Sequence, residues 1–169
     1  RTAYLILAFV FLLIRPLPAE VKLPAIFGDH MVLQQEMKVP VWGTADPGEK
    51  VTVIVGDHAG AAIADDKGKW RVDLAPFAPS STTYALIVMG KNMIRFEDVL
   101  IGDVWLASGQ SNMEWNVHDS HNFKDISDHL DDQQLRVFQA DHAYAVEPTS
   151  VLKGHWAVAS HDSLLSFSA

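Results

Sequence analysis

The sequence predicts a chain of mixed β and α/β class, in which an antiparallel β-sandwich over residues 20–101 is followed over 102–169 by the beginning of an α/β domain. The first region carries short apolar runs separated by turn residues, a pattern typical of antiparallel sandwiches. In the second region a strand, a polar turn, a helical stripe and another strand follow one another, which indicates the first βαβ unit of a parallel sheet. Only about 70 residues remain there, and since ~100–200 are usual for a domain, we expect this second domain to be incomplete.

The first 19 residues have the pattern of a signal peptide. Arg1 precedes an unbroken apolar run over Tyr4–Ile14, and Ala19 supplies a small residue at a cleavage zone. The run is shorter than the ~20 apolar residues of a membrane span, and a buried core helix is the alternative. We expect an exported protein, periplasmic or secreted, that begins near Glu20 and has no stable membrane association once the leader is removed.

The composition excludes several classes of protein and site. The 169 residues are 49% apolar, enough for a packed core, and a formal charge of −8 without a basic cluster argues against nucleic acid as a partner. The absence of cysteine excludes a disulfide scaffold and thiol chemistry. The segment His118–His121 holds possible metal donors but no third convergent ligand, so we predict neither a metal nor another cofactor.

The strands predicted within the sandwich are, in chain order, Val39–Gly43, Lys50–Val55, Trp70–Leu74, Thr82–Met89 and Met93–Leu100. Between them, Asp46-Pro-Gly48 has the proline that presets a turn, and Asp65–Gly68 suits a hairpin turn. Large aromatic residues dominate sandwich cores. We therefore expect Trp42, Trp70 and Phe77 to belong to the core, with a sugar-binding role for any of them as the alternative.

The stretch Asp103–Trp115 carries a serine from the end of an apolar strand into a glycine-containing turn. Val104–Ala107 is typical of a buried strand, and Gly109 permits the sharp reversal that lifts Ser111 out of the sheet. If a helix begins at Asn112, its free N–H groups face an oxyanion forming beside Ser111, which suits acyl transfer. The same residues also suit an ordinary polar turn in which Ser111 caps a helix.

A helix and a strand are predicted after the serine turn. Phe123, Ile126 and Leu130 recur at spacings of three and four, which indicates one apolar helical stripe. The helix would lie within residues 122–131 and be followed by a strand over Leu135–Ala140, completing the βαβ unit.

Four blocks of the sequence resemble one known family, and they are Leu23–Gln35, Val39–Val51, Gly68–Val72 and Asp103–Glu114. The last block reads Gly109-Gln-Ser-Asn-Met-Glu114 after Asp103-Val-Trp-Leu, and it resembles the nucleophile block of the sialate O-acetylesterase family within the SGNH hydrolases. The resemblance runs from about Leu23 to the last residue. It implies the N-terminal piece of an enzyme whose second domain is an SGNH-type α/β/α hydrolase.

The resemblance implies that Ser111 is the nucleophile and contributes its own N–H to the oxyanion hole, and that Gly109, Gln110 and Asn112 support the turn and that hole. The implied reaction removes O-acetyl groups from sialic acid or a related sugar through an acetyl-serine intermediate, with no cofactor or metal. The implied partner is therefore an O-acetylated carbohydrate substrate.

The catalytic base is expected outside this chain. In the resembled family it comes from an Asp-x-x-His block near the C terminus, and none of the eight histidines here follows an aspartate by three residues. His118 and His121 are local alternatives, because a base needs proximity in space rather than in sequence. We expect this fragment alone to be inactive.

Two further functions remain open. One is a non-catalytic β-sandwich carbohydrate-binding module that carries a vestigial hydrolase segment. The other is an acetyl esterase acting on plant polysaccharide, which the same serine turn could serve. An Asp-x-x-His block in sequence downstream of Ala169 would favour an enzyme over the binding module.

Overall fold

The computed structural model of the protein describes residues 20–144, 146–147, 152–165 and 167. The predicted signal peptide, residues 1–19, lies outside these described residues. Within them, no helix has the length and apolar character needed to cross a membrane.

The strands of the described part are β1 (Val32–Gln34), β2 (Val39–Thr44), β3 (Lys50–Val55), β4 (His58–Ile63), β5 (Lys69–Leu74), β6 (Ser80–Met89), β7 (Met93–Gly102), β8 (Asp132–Ala140) and β9 (Gly154–Ala159). The α-helices are α1 (Phe123–Ile126) and α2 (His161–Leu165), and short 3₁₀ helices cover Ser111–Glu114, Val117–Asp119 and Ser127–His129.

The first seven strands form two sheets that share one core. The larger sheet has the order β1-β7-β6-β3-β4, and the smaller one pairs β2 with β5. All these pairs are antiparallel except β1 with β7, which run parallel in register Val32↔Leu100 to Gln34↔Gly102. The mostly β character predicted for this region is confirmed, with one parallel pair in place of a wholly antiparallel arrangement.

Alternation along the strands fills the core from both sheets. On β3, Val51, Val53 and Val55 are fully buried, and on β5 Trp70, Val72 and Leu74 are buried while the residues between them are exposed. Because facing sheets pack about 10 Å apart, the apolar rows of the two inner faces interdigitate and exclude water.

Two of the three aromatic residues assigned to the core lie there. Trp70 and Phe77 are buried, but Trp42 is 39% exposed, so the core prediction for Trp42 is wrong. Trp42 stands opposite Arg71 across the β2–β5 pair, one register position from the Gly43–Trp70 pair, and a shift of one residue turns a side chain to the other face. Gly43 leaves room for Trp70, whose ring would lie 2.9 Å from an added Cβ.

The segment after β7 differs from its prediction. No strand is present over Val104–Ala107, and the predicted helix over 122–131 is reduced to α1 followed by one 3₁₀ turn. The strand predicted over Leu135–Ala140 is present as β8, but it pairs antiparallel with β9. Among the described residues no parallel pairing follows Gly102, so the α/β/α start is not confirmed by this arrangement.

Two clusters of buried apolar residues correspond to the two regions. The larger one extends from Val21 to Ile101 and is contacted by partly buried Trp156 of β9. The smaller one consists of Leu130, Val137, Ala159 and Leu164. The domain boundary at 101/102 stays a prediction, because contacts such as that of Trp156 cross it.

Candidate functional site

Ser111 is the first residue of the 3₁₀ helix Ser111–Glu114, preceded by an extended Gln110. Ser111 is exposed, and the N-cap position of this helix is occupied by Gln110, whose side chain makes no cap hydrogen bond. The polar-turn alternative, in which Ser111 caps a helix, thus has no hydrogen bond to support it. Within the described part of the chain, neither the Ser111 side chain nor its amide N–H has a hydrogen-bond partner.

Gly109 has a different local role from the one predicted. Its backbone does not lie in the left-handed region, and an added Cβ would lie 2.5 Å from Met113 Cγ. The glycine therefore allows the Met113 side chain to fold over the turn. The turn is closed by the Met113 N–H, which donates to the Gln110 carbonyl oxygen over 2.8 Å, while Asn112 accepts from the Trp115 N–H over 3.2 Å.

The segment that leads to Ser111 is attached to the sandwich at its start. Asp103 Oδ1 accepts hydrogen bonds from Gln34 Nε2 over 3.2 Å and from Gln35 Nε2 over 3.1 Å. The Val104 N–H donates to Gln34 Oε1 over 2.8 Å. Beyond these contacts the segment is exposed, with Trp105 at 89% and Leu106 at 92% of their full accessibility. The prediction of a buried strand at this position is therefore wrong for the chain as described.

An open apolar depression adjoins the serine turn. Trp115 lines it and is oriented by its Nε1–H, which donates to the Asp119 carbonyl oxygen over 2.7 Å. The other apolar walls are Val117, Ile126, Leu130, Leu135, Val137, Leu164 and Phe167. Ser111 does not line this depression, so the depression does not by itself define a substrate pocket.

The local histidines are not arranged to activate Ser111. His118 Nδ1 lies 3.1 Å from Asp119 Oδ1 and its ring is 5.2 Å from that of Phe123, while the His121 side chain is exposed. Among the described residues no hydrogen bond joins Ser111 to either histidine. In the same part of the chain no group of three histidine, cysteine, aspartate or glutamate residues could hold a metal ion.

A charged group that the sequence reasoning missed lies between the two regions, and we call His30, Asp98 and Arg136 the charged junction. Asp98 Oδ2 lies 2.7 Å from His30 Nδ1 and accepts from Arg136 Nη2 over 3.1 Å. The Arg136 side chain is 3% exposed. Two signals could have pointed to it: a charged residue inside the apolar run of β8, and consecutive acidic residues Glu97 and Asp98 that interrupt the alternation of β7.

Known proteins similar to this chain include sialate O-acetylesterases and a carbohydrate acetylesterase. No family model matches it. The mouse sialate O-acetylesterase is 33% identical over 122 residues, which are 65% of this chain and 23% of the mouse protein. The rat sialate O-acetylesterase is 31% identical over 138 residues, 75% of this chain and 26% of the rat protein. The human one is 34% identical over 100 residues, 53% of this chain and 19% of the human protein.

A solved structure agrees with these relatives. The crystal structure of a carbohydrate acetylesterase from Xanthomonas citri matches with a TM-score of 0.82 and 34% identity, over 88% of this chain and 35% of that one. This coverage exceeds the share of the chain in residues 20–101, so the match extends past Gly102. The chain spans about a quarter of the length of the mouse and rat relatives. Sequence and fold lead to the same conclusion, and the chain belongs to the sialate O-acetylesterase family.

Proposed function

We propose that this chain is the N-terminal part of an exported serine esterase that removes O-acetyl groups from sialic acid or a related sugar. The observation that carries the proposal is the exposed Ser111 at the start of a tight turn, with its hydroxyl and its amide N–H unpaired among the described residues. A nucleophile needs an accessible oxygen with a hydrogen-bond donor close to where the oxyanion forms. The similarity to sialate O-acetylesterases and to a carbohydrate acetylesterase supports the choice of substrate class.

In the proposed reaction Ser111 Oγ attacks the acetyl carbonyl carbon while its proton passes to a base. The Ser111 N–H stabilises the resulting oxyanion, and Gly109, Gln110 and Asn112 hold the turn that presents it. The ester C–O bond breaks, and the sugar leaves with the proton. Water then attacks the acetyl-serine, which releases acetate and restores the hydroxyl. The base is proposed to come from the part of the enzyme that lies beyond this chain.

The exposed apolar segment before Ser111 supports a sheet that is completed by further chain. Large apolar side chains such as Trp105 and Leu106 are usually covered when they lie in sequence together. The family members are about four times as long as the part matched here. We propose that Val104–Ala107 becomes a central strand of an SGNH-type α/β/α domain when the remaining strands are present.

The test uses the full-length protein, meaning this chain extended to the length of its relatives, beside the 169-residue chain. In the full-length protein Ser111→Ala should abolish hydrolysis of a simple acetyl ester, because the attacking oxygen is lost. Ser108→Ala removes a hydroxyl from the same exposed segment and serves as the matched control, with activity retained. General-base assistance contributes ~10²–10⁴-fold, so the 169-residue chain should be slower by at least that factor. If the two proteins hydrolyse the ester at equal rates, and both lose this activity on Ser111→Ala, the base must be a local residue such as His118 or His121.

The substrate is resolved by offering the full-length enzyme O-acetylated sialic acid and acetylated plant polysaccharide in parallel. Faster hydrolysis of the sialic acid supports the proposed substrate. Faster hydrolysis of the polysaccharide would instead favour an acetyl esterase that acts on plant polysaccharide through the same serine. Export is checked by the mass of the released protein, which should begin near Glu20.

A carbohydrate-binding role of the sandwich is a second candidate, favoured by the position of Trp42. This side chain lies on the outer face of β2, opposite Arg71 and two positions from the Thr44–Lys69 pair. An exposed aromatic ring beside hydrogen-bonding groups can hold one face of a sugar. Titration of the 169-residue chain with oligosaccharides tests this role, and Trp42→Ala should abolish binding, whereas Trp105→Ala, at another exposed tryptophan, should not.

A further inference from the structure

We propose that Asp98 is a positioning residue for Ser111, which it serves by holding the β8–β9 hairpin against the sandwich through the charged junction. The inference rests on the proposed function, because it assigns Asp98 a role in the reaction of Ser111. Asp98 is not proposed to touch substrate. It acts through Arg136 on the elements that flank the serine segment.

The backbone around Asp98 has an unusual conformation. Among the described non-glycine residues, His30, Glu36 and Asp98 have positive φ, and two of these three meet in the charged junction, His30 at 65° and Asp98 at 53°. Residues held in such sparsely populated conformations cluster at functional sites. The pairing of β6 with β7 shifts register between Tyr84↔Val99 and Leu86↔Phe96, so Asp98 lies in a β-bulge. Bulges re-aim side chains, and here the carboxylate meets the hairpin.

The loop before β1 secures the bulge. The His30 N–H donates to the Glu97 carbonyl oxygen over 3.1 Å, and the Glu97 N–H donates to Asp29 Oδ1 over 2.7 Å. The Asp98 carboxylate is therefore fixed by its own strand and by His30 before it meets Arg136.

The hairpin is attached to the sandwich through both of its strands. On β8, the buried Arg136 guanidinium has Asp98 as its carboxylate partner and also donates through Nη1 to the Gln133 carbonyl oxygen. On β9, Trp156 Nε1–H donates to the Ile26 carbonyl oxygen over 2.7 Å, and the ring packs against the sandwich core. Among the described residues Asp98 is the ionic partner of Arg136, and a buried charge left without such a partner destabilises its surroundings strongly, so Arg136 requires Asp98.

The serine segment is consequently held at both ends by the sandwich. Gln34 and Gln35 bind Asp103 at its start, and after its end Val117 packs against the cluster that contains Val137 of β8, the strand that Asp98 holds through Arg136. Ser111 lies between these two attachments. Because a displacement of about 1 Å at a reacting group can cost ~10²-fold in rate, fixing both ends fixes the reach of the nucleophile.

The test compares Asp98→Asn with Asp73→Asn in the full-length enzyme. Asparagine tolerates positive φ, so Asp98→Asn keeps the bulge and removes only the charge. Asp73 forms an exposed ion pair with Arg71 on β5 and is the matched control. We expect Asp98→Asn to lower kcat by roughly 10- to 100-fold with little change in KM, and Asp73→Asn to leave both unchanged. Adding Arg136→Gln to Asp98→Asn should restore part of kcat, since no buried charge is then left unpaired.

Hydrogen exchange of the 169-residue chain gives a readout independent of activity. In Asp98→Asn the amides of β8 and β9 should exchange faster, while those of β3 and β6 keep the rates of the Asp73→Asn control. Unchanged exchange in the hairpin overturns the inference. So does a variant whose melting temperature falls while kcat holds, since Asp98 would then serve stability alone. If Ser111→Ala stays active, the proposed function fails and the inference fails with it, whereas loss of activity on Ser111→Ala with a normal Asp98→Asn enzyme overturns the inference alone.

Discussion

The strand β3 and the segment Val104–Ala107 have similar apolar sequences and opposite surroundings. Val51, Val53 and Val55 of β3 are fully buried, whereas Val104 is 45% exposed and the two residues after it nearly wholly so. β3 has β4 and β6 as neighbours within the described chain, and the later segment has none. Burial of an apolar run thus depends on whether neighbouring strands are available.

The difference explains why one region forms a large core and the other a small one. The buried apolar side chains of the sandwich lie between two sheets, so the removal of their surface from water stabilises the fold by about 25 cal/mol per Å². The segment before Ser111 lies beyond the last paired residue of β7 and obtains no such contribution. Its stability rests on the glutamine contacts at Asp103 and on the turn at Ser111.

The largest expected effect is on the free energy of unfolding, and it should differ between a leucine of the sandwich and a leucine of the exposed segment. Leu86 is fully buried in β6, and Leu86→Ala should lower the free energy of unfolding by about 2–5 kcal/mol because it leaves a cavity. Leu106→Ala in the exposed segment should change it by less than ~0.5 kcal/mol. Urea denaturation followed by circular dichroism measures both. Similar losses for the two variants would mean that Leu106 is buried in solution.

Two glycines provide the next contrast. An alanine Cβ at Gly43 would clash with the backbone carbonyl of Lys22, whereas at Gly109 it would meet the flexible side chain of Met113. Gly43→Ala should therefore cost about 1–3 kcal/mol of stability, and Gly109→Ala clearly less, because only the methionine needs to move. Thermal melting distinguishes them, and an equal loss at both positions would contradict the described turn.

A smaller effect is expected on the surface properties of the 169-residue chain. Trp105→Ser should reduce the binding of an apolar fluorescent dye and the tendency to self-associate, because it removes the largest exposed apolar side chain of the segment. Thr82→Ser, at an exposed position of β6, is a neutral control. In the full-length enzyme the substitution should instead destabilise, if Trp105 is covered there as proposed.

The smallest effect concerns an ion pair on the sandwich surface. A hydrogen bond to Asp46 raises the pKa of Lys91 above its ordinary value of 10.5, aided by the charges of Asp46 and Glu49 and opposed by desolvation. A raised pKa stabilises the folded state below the pKa of the unfolded chain, and this contribution is lost as pH rises through the higher folded value. Stability should accordingly fall more steeply above about pH 10.5 than in Lys91→Met, with Lys38→Met as a control for charge. A lysine titration by NMR that shows no upward shift would contradict the pair.

The sequence was most informative where structure is local. The buried residues of β2, β3 and β5 lie in the predicted apolar runs. The turns before β3 and before β5 contain the expected proline and glycine residues. β4 was missed because His58-Ala-Gly-Ala-Ala-Ile63 has small residues in place of a large apolar row. The prediction that Trp42 is buried was wrong because alternation divides the residues of a strand between two faces but does not tell which face is buried.

Contacts between distant residues were beyond such patterns. Asp98 and Arg136 are 38 positions apart in the sequence. Their ion pair depends on a β-bulge, which the hydrophobic periodicity of the sequence does not predict. The nucleophile block was found through family resemblance, and its assignment to Ser111 remains a prediction. The buried strand at Val104–Ala107 was wrong for the chain as described, because hydropathy reports the preference of a segment and not the presence of its neighbours.

The parallel pairing of β1 with β7 also has a mechanical meaning. Tension applied before Val32 and after Gly102 would pull the two strands past each other along their length. The bonds from the Leu100 N–H to the Met31 carbonyl oxygen, 3.0 Å, and from the Gln35 N–H to the Gly102 carbonyl oxygen, 2.9 Å, would then be loaded together in shear. Strands loaded in this way must lose all their bonds at once, whereas a hairpin pulled open at one end loses them singly. The sandwich would therefore transmit force from its first strand to the serine segment without unravelling between them.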